Sequence, residues 1–115
     1  MTDENQNFAE QLAALQRNYA SKLQGRVEQL HQHWLTLNAQ WQPELLEELH
    51  REIHTLAGSS LSYGFKRLGS IVKQLEHLIQ PLVETQHPPD DKQVQRINTL
   101  FNRLQRIVIH VEDEL

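Results

Sequence analysis

The chain has 115 residues, the size of one domain and too short for two independent cores, so residues 1–115 are read as a single unit. Cysteine is absent, which excludes disulfides and thiolate metal sites, leaves the fold to apolar packing and fits a reducing cytoplasm. A formal net charge of −4, with Lys and Arg scattered among Asp and Glu, makes nucleic acid a poor partner. No apolar run approaches the roughly 20 residues that span a bilayer, and the segment Met1 to Asn5 lacks the basic and apolar regions of a signal peptide. A soluble, cytoplasmic protein with no membrane partner is expected, and the initial Met with the charged carboxyl end fits a complete small protein. Glycines and prolines are few, while Leu, Gln, Glu and Arg, which lose little freedom in helices, are abundant.

Apolar residues recur at spacings of three and four almost throughout, so helices are expected and strands are not. Phe8, Leu12, Leu15 and Tyr19 form the first stripe, in a helix starting near Thr2 or Asp3. Ser21 with Gln24 resembles a capping box before a second stripe of Leu23, Val27, Leu30, Trp34 and Leu37, predicting a second helix over about 22–39; the two could also be continuous. Pro43 and the acids Glu44, Glu47 and Glu48 open a third helix, whose inward stripe is Leu46, Leu49, Ile53, Leu56 and Ser60 and whose end is expected at Gly64. A fourth carries Leu68, Val72, Leu75 and Ile79, with Pro81 expected to kink or end it. Gln86 to Pro89 reads as a loop. Asp90 with Gln93 caps a fifth helix bearing Val94, Ile97, Phe101, Leu104, Val108, Val111 and Leu115 on one face. None of these helices can bury its stripe alone. The expected architecture is all-α, an antiparallel four-helix bundle with an additional N-terminal helix laid on it as a lid.

The third helix carries the chemistry. With Ile53 pointing to the core, His54 lies about 100° away, at the edge of the buried face and at least partly exposed. His50 and Gly58 are one turn to either side, and Arg51 is three residues before it, so the four positions are expected to share a patch. Glycine inside a helix costs about 1 kcal/mol relative to alanine. The expected reason for Gly58 is steric, a notch beside the imidazole that Ser59 and Ser60 extend.

The run His54-Thr55-Leu56-Ala57-Gly58-Ser59-Ser60-Leu61-Ser62-Tyr63-Gly64-Phe65-Lys66-Arg67-Leu68, followed by Leu75-Glu76, resembles the signature of histidine-containing phosphotransfer (HPt) domains. That signature has a phosphorylatable His, Gly four residues on, two small residues, a second Gly ten after the His and a Leu four further. The resemblance implies a helical phosphoryl carrier without autokinase activity. His54 would be the nucleophile that exchanges phosphate with the aspartate of receiver domains, with a hybrid sensor kinase as a further partner. No cofactor is expected on this chain, and Mg²⁺ is expected on the receiver. Around His54, the residues Gly58, Arg51, His50, Ser59, Leu61, Phe65, Lys66 and Lys73 are expected to form the phosphate environment and docking surface, Leu61 and Phe65 as its apolar part. The family usually has Lys three residues after the His. Ala57 stands there, and Arg51, Lys66 and Lys73 are the possible substitutes.

Other readings stay open on the residues alone. The same fold could serve as an interaction module that is never phosphorylated. His50 and His54, four apart, could also chelate a metal, although no third ligand is evident and no metal site is expected. His31, His33, His77, His87 and His110 read mostly as surface residues, and Trp34 and Trp41 as packing. A monomer is expected, although the first helix and any apolar surface left by the bundle could support a dimer.

Overall fold

Four α-helices account for most of residues 2–115, which the computed structural model describes: α1 (Thr2–Ala39), α2 (Pro43–Ser62), α3 (Lys66–Thr85) and α4 (Asp91–Ile109), followed by a 3₁₀ turn at Val111–Glu114. Met1 lies outside the described residues. Among the described residues there is no strand. The helix α1 packs on α2 and α4, α2 on α3, and α3 on α4, which closes a bundle around one core.

Local chemistry places the boundaries. Gln42 is extended at the α2 N-cap, with Pro43 in the first turn, where its missing N–H costs nothing. All five residues of the stripe expected on α2 are buried, including the hydroxyl-bearing Ser60. At its end Gly64 has φ +90°, a conformation that costs glycine little. There the Phe65 N–H donates to the Ser60 carbonyl at 2.9 Å and the Gly64 N–H to the Leu61 carbonyl at 3.1 Å, the paired bonds of a Schellman turn. That turn folds Phe65 back into the core, where it stacks 5.8 Å from Tyr19. At α4 both halves of the expected capping box are present: the Gln93 N–H donates to Asp90 Oδ1 at 2.8 Å, and the Asp90 N–H to Gln93 Oε1 at 2.9 Å. Trp34 is fully buried, and its indole N–H donates to Asn98 Oδ1 at 2.7 Å, which satisfies the one polar atom it takes inside.

Three expectations are corrected. There is no separate N-terminal helix and no lid: the two predicted segments are one helix of 38 residues. Ser21 does not cap a new helix, because its hydroxyl donates to the Asn18 carbonyl at 2.7 Å while the backbone continues. At 1.5 Å per residue such a helix is about 57 Å long, and it sets the 58 Å long dimension of the molecule. Phe8, Leu12 and Leu15 are accordingly exposed on its free end. Second, of the kink or end expected at Pro81 the end does not occur: α3 runs to Thr85, with the proline inside it on an exposed position. Third, the last helix stops at Ile109. The 3₁₀ turn that follows buries Val111 but leaves Leu115 exposed.

Candidate functional site

His54 stands on α2 between two fully or nearly fully buried neighbours, Ile53 and Leu56, and points away from both. Its side chain is 74% exposed. The ring is nevertheless held, because Nδ1 bonds to Glu76 Oε2 of α3, a side chain only 14% exposed. A carboxylate oxygen can only accept, so Nδ1 is the donor, and in a neutral ring the lone pair is then on Nε2. The result is an imidazole held in orientation by Glu76 with most of its side chain open to solvent.

The contact follows from how closely α2 and α3 approach. A Cβ built on Gly69 would come within 2.8 Å of the Leu61 side chain and 3.4 Å of its backbone nitrogen. Leu61 comes seven residues after His54, and Gly69 seven before Glu76. The glycine contact and the histidine bond therefore lie on one seam, two turns apart, and the first helps set the spacing for the second. Beside the ring, a Cβ built on Gly58 would meet nothing within 4 Å. The notch expected there is open.

The serines after Gly58 serve the fold. Tyr19 Oη lies 2.5 Å from Ser59 Oγ and 3.1 Å from Ser60 Oγ, and the Tyr19 ring stacks on Tyr63 at 4.4 Å between centroids. Both hydroxyls tie α2 to α1 beneath the exposed surface. Phe65 is a correction: it is fully buried and cannot be part of a docking surface, since the Schellman turn directs it inward. Leu61 is 41% exposed and stays available. His50 is half-buried with Nε2 enclosed and without a hydrogen-bond partner, so that nitrogen does not face the open patch.

The cations are spread out. Lys73 is exposed on α3, one turn before Glu76 and on the same face. Lys66 is exposed at the start of α3. Arg51 leans the other way, toward α1, where it lines a groove with Arg26, Gln29, Glu52 and Thr55. Ala57 is buried, so no charge is offered from that position. In the same region Glu52 Oε1 lies 3.1 Å from His33 Nδ1. Burial pushes the Glu52 carboxyl above its ordinary value and Glu48 adds to this, while His33 and Arg51 oppose it. His33 is thus half-buried and paired, and His31 is half-buried against Phe101, whereas His77, His87 and His110 are on the surface as expected. Among the described residues, no three His, Cys, Asp or Glu side chains gather as a metal site would need. No helix of the described residues is long and apolar enough to cross a membrane.

Two features of the site are not legible as such in the sequence: Glu76 enters only within the HPt resemblance, with no role, and Gly69 carries no motif. A signal for Glu76 existed. His54 is ten residues before Gly64 and Glu76 twelve after, so the two are nearly equidistant from the turn that folds α3 onto α2.

The bundle thus presents an exposed histidine, held by a carboxylate, beside a side-chain-free notch. The sequence model of the Hpt domain matches residues 6–107, and the chain belongs to that family. Neither a curated protein nor a solved structure matches it. At the level of the family, Hpt domains are phosphocarriers of two-component signalling that work with the receiver domains of response regulators.

Proposed function

We propose that His54 is the phosphoacceptor of this domain and that it exchanges a phosphoryl group with the aspartate of a receiver domain. The observation that carries this reading is the bond from the His54 Nδ1–H to Glu76, which leaves Nε2 as the free nitrogen on an exposed ring.

The step balances without a further reactant. The Nε2 lone pair attacks the phosphorus of a receiver aspartyl phosphate, an N–P bond forms, the P–O bond to the aspartate breaks, and the carboxylate leaves with the electron pair. During attack the ring gains positive charge, which the Glu76 carboxylate offsets. The Nδ1 proton stays in place, so the phosphorylated ring can return the group by the reverse path. Phosphoryl transfer depends on in-line positioning and on neutralising the phosphoryl oxygens. Mg²⁺ held by the receiver would supply most of that charge, and Lys73, exposed on the same face of α3 as Glu76, is a candidate cation of this chain. Gly58 gives the PO₃ group and the partner backbone room to approach, and Leu61 supplies apolar contact.

The test is to incubate the protein with a receiver domain, Mg²⁺ and a labelled phosphodonor. Label should appear on the wild type as an acid-labile, base-stable phosphate and be absent from His54→Gln. Label persisting in that variant would place the acceptor elsewhere.

A further inference from the structure

Among the described residues, the first turns of α1 are exposed along their length. Gln16, whose Nε2–H donates to the Tyr63 carbonyl at 2.9 Å, marks where α1 passes the α2–α3 turn. Tyr19 is the first buried residue among those described. Ahead of it, Phe8, Leu12 and Leu15 are 69, 45 and 54% exposed. At 100° per residue these three project within about 85° of the mean direction of the buried α1 residues, Leu12 within about 25°. They continue the core seam past the end of the bundle, where none of the described residues covers it.

The pattern fits another helix of the same kind. From Phe8 to Tyr19 the apolar spacings are four, three and four, the alternation of a coiled-coil seam. The flanking residues Ala9, Gln11, Ala13 and Gln16 are uncharged, and two are small, so a second helix can come close. Charge then selects the direction. From Glu4 to Gln16 the only charged residues are Glu4 and Glu10, whereas from Arg17 to Arg26 they are Arg17, Lys22 and Arg26. Two such helices running the same way would set acid beside acid and base beside base. Running opposite ways, the acidic tip of each lies along the basic stretch of the other.

We propose that this face is an interface between two copies of the chain, formed by antiparallel pairing of their α1 helices about a twofold axis near Leu12. An isologous contact uses one patch twice, so Phe8 of each copy meets Leu15 of the other while Leu12 meets its own equivalent. The apolar contacts of the pairing lie beyond the α2–α3 turn, which Gln16 marks, while the first residues of each copy reach alongside the basic stretch of the other. It depends on no reading of His54.

Sedimentation of the full chain up to about 1 mM should show a monomer–dimer equilibrium. Leu12→Glu and Phe8→Glu should each weaken it by at least about 10-fold, with helix content and thermal unfolding unchanged because neither side chain enters the core. Higher salt should also weaken it, through screening of the end charges. Since the chain has no cysteine, single cysteines report cleanly. Under mild oxidation Gln11→Cys, near the axis, should cross-link to itself and Asn5→Cys should not. A chain that stays monomeric throughout, or a dimer that survives both substitutions, would overturn the interface. Self-cross-linking of Asn5→Cys instead of Gln11→Cys would overturn the antiparallel arrangement.

Discussion

Glu76 of α3 accepts the Nδ1 proton of His54 on α2, and it does so from a side chain that is itself largely enclosed while the ring remains open. An exposed histidine would otherwise sample many orientations and both tautomers. Replacing Glu76 removes the restraint and the compensating charge without creating a hole in the core. A charge-assisted hydrogen bond contributes about 1.5–3 kcal/mol, so Glu76→Ala should slow phosphoryl transfer about 10–100-fold. Glu76→Gln, which can still accept from Nδ1 but carries no charge, should fall between the two. Rapid-quench measurement of transfer from a phosphorylated receiver checks both, and equal rates for all three proteins would refute a role for the pair.

Gly58 separates folding from docking. Nothing within 4 Å of its missing Cβ resists a methyl group, so Gly58→Ala should stabilise the helix by up to about 1 kcal/mol. The midpoint of thermal unfolding should rise by about 4 °C. Gly58→Leu should also fold, yet transfer to a receiver more slowly, because its side chain projects into the approach to His54. Calorimetry and transfer kinetics on the same samples decide it, and a Leu variant that transfers at the wild-type rate would show that the notch is idle.

Tyr19 and Ser60 form an unequal pair. Removing the hydroxyl from Tyr19 leaves that of the fully buried Ser60 without this partner, whereas removing it from Ser60 leaves Tyr19 with Ser59. An orphaned buried hydroxyl costs about 1–3 kcal/mol, so Tyr19→Phe should destabilise by more than Ser60→Ala. Denaturant midpoints with unchanged slopes would measure the difference.

Glu52 makes stability depend on pH. Burial raises its carboxyl above the ordinary value of 4.5, so between that value and the raised one the folded state holds more proton than the unfolded state. Its contribution is present below pH 4.5 and is lost as pH rises through the elevated folded value. The side chains nearby that set the balance are His33, Glu48 and Arg51. Glu52→Gln should flatten this segment of the stability curve, read from urea midpoints between about pH 4 and 7. A variant curve parallel to that of the wild type would mean that Glu52 is not the source.

Much of this protein can be read along the chain, because a helix repeats at a period short enough for neighbours to declare it. The buried stripe of α2, the Asp90 cap, the proline start at Pro43 and the glycine stop at Gly64 are each decided by a few adjacent residues. The position of His54 at the edge of that stripe comes from the same 100° step, whereas the HPt resemblance rests on the residues of the run from His54 to Leu68 themselves. What only the tertiary structure decided depends on contacts between helices. Whether the stripe of Phe8, Leu12 and Leu15 is covered depends on where α2 and α3 turn back. They turn at Gly64, level with Gln16, and leave that stripe bare. Phe65 looks like a surface anchor until the Schellman turn carries it inward, and Glu76 becomes the partner of His54 because Gly69 lets α3 come close to α2. Helical periodicity is a property of each segment by itself, whereas burial and hydrogen-bond partnership belong to the space between segments.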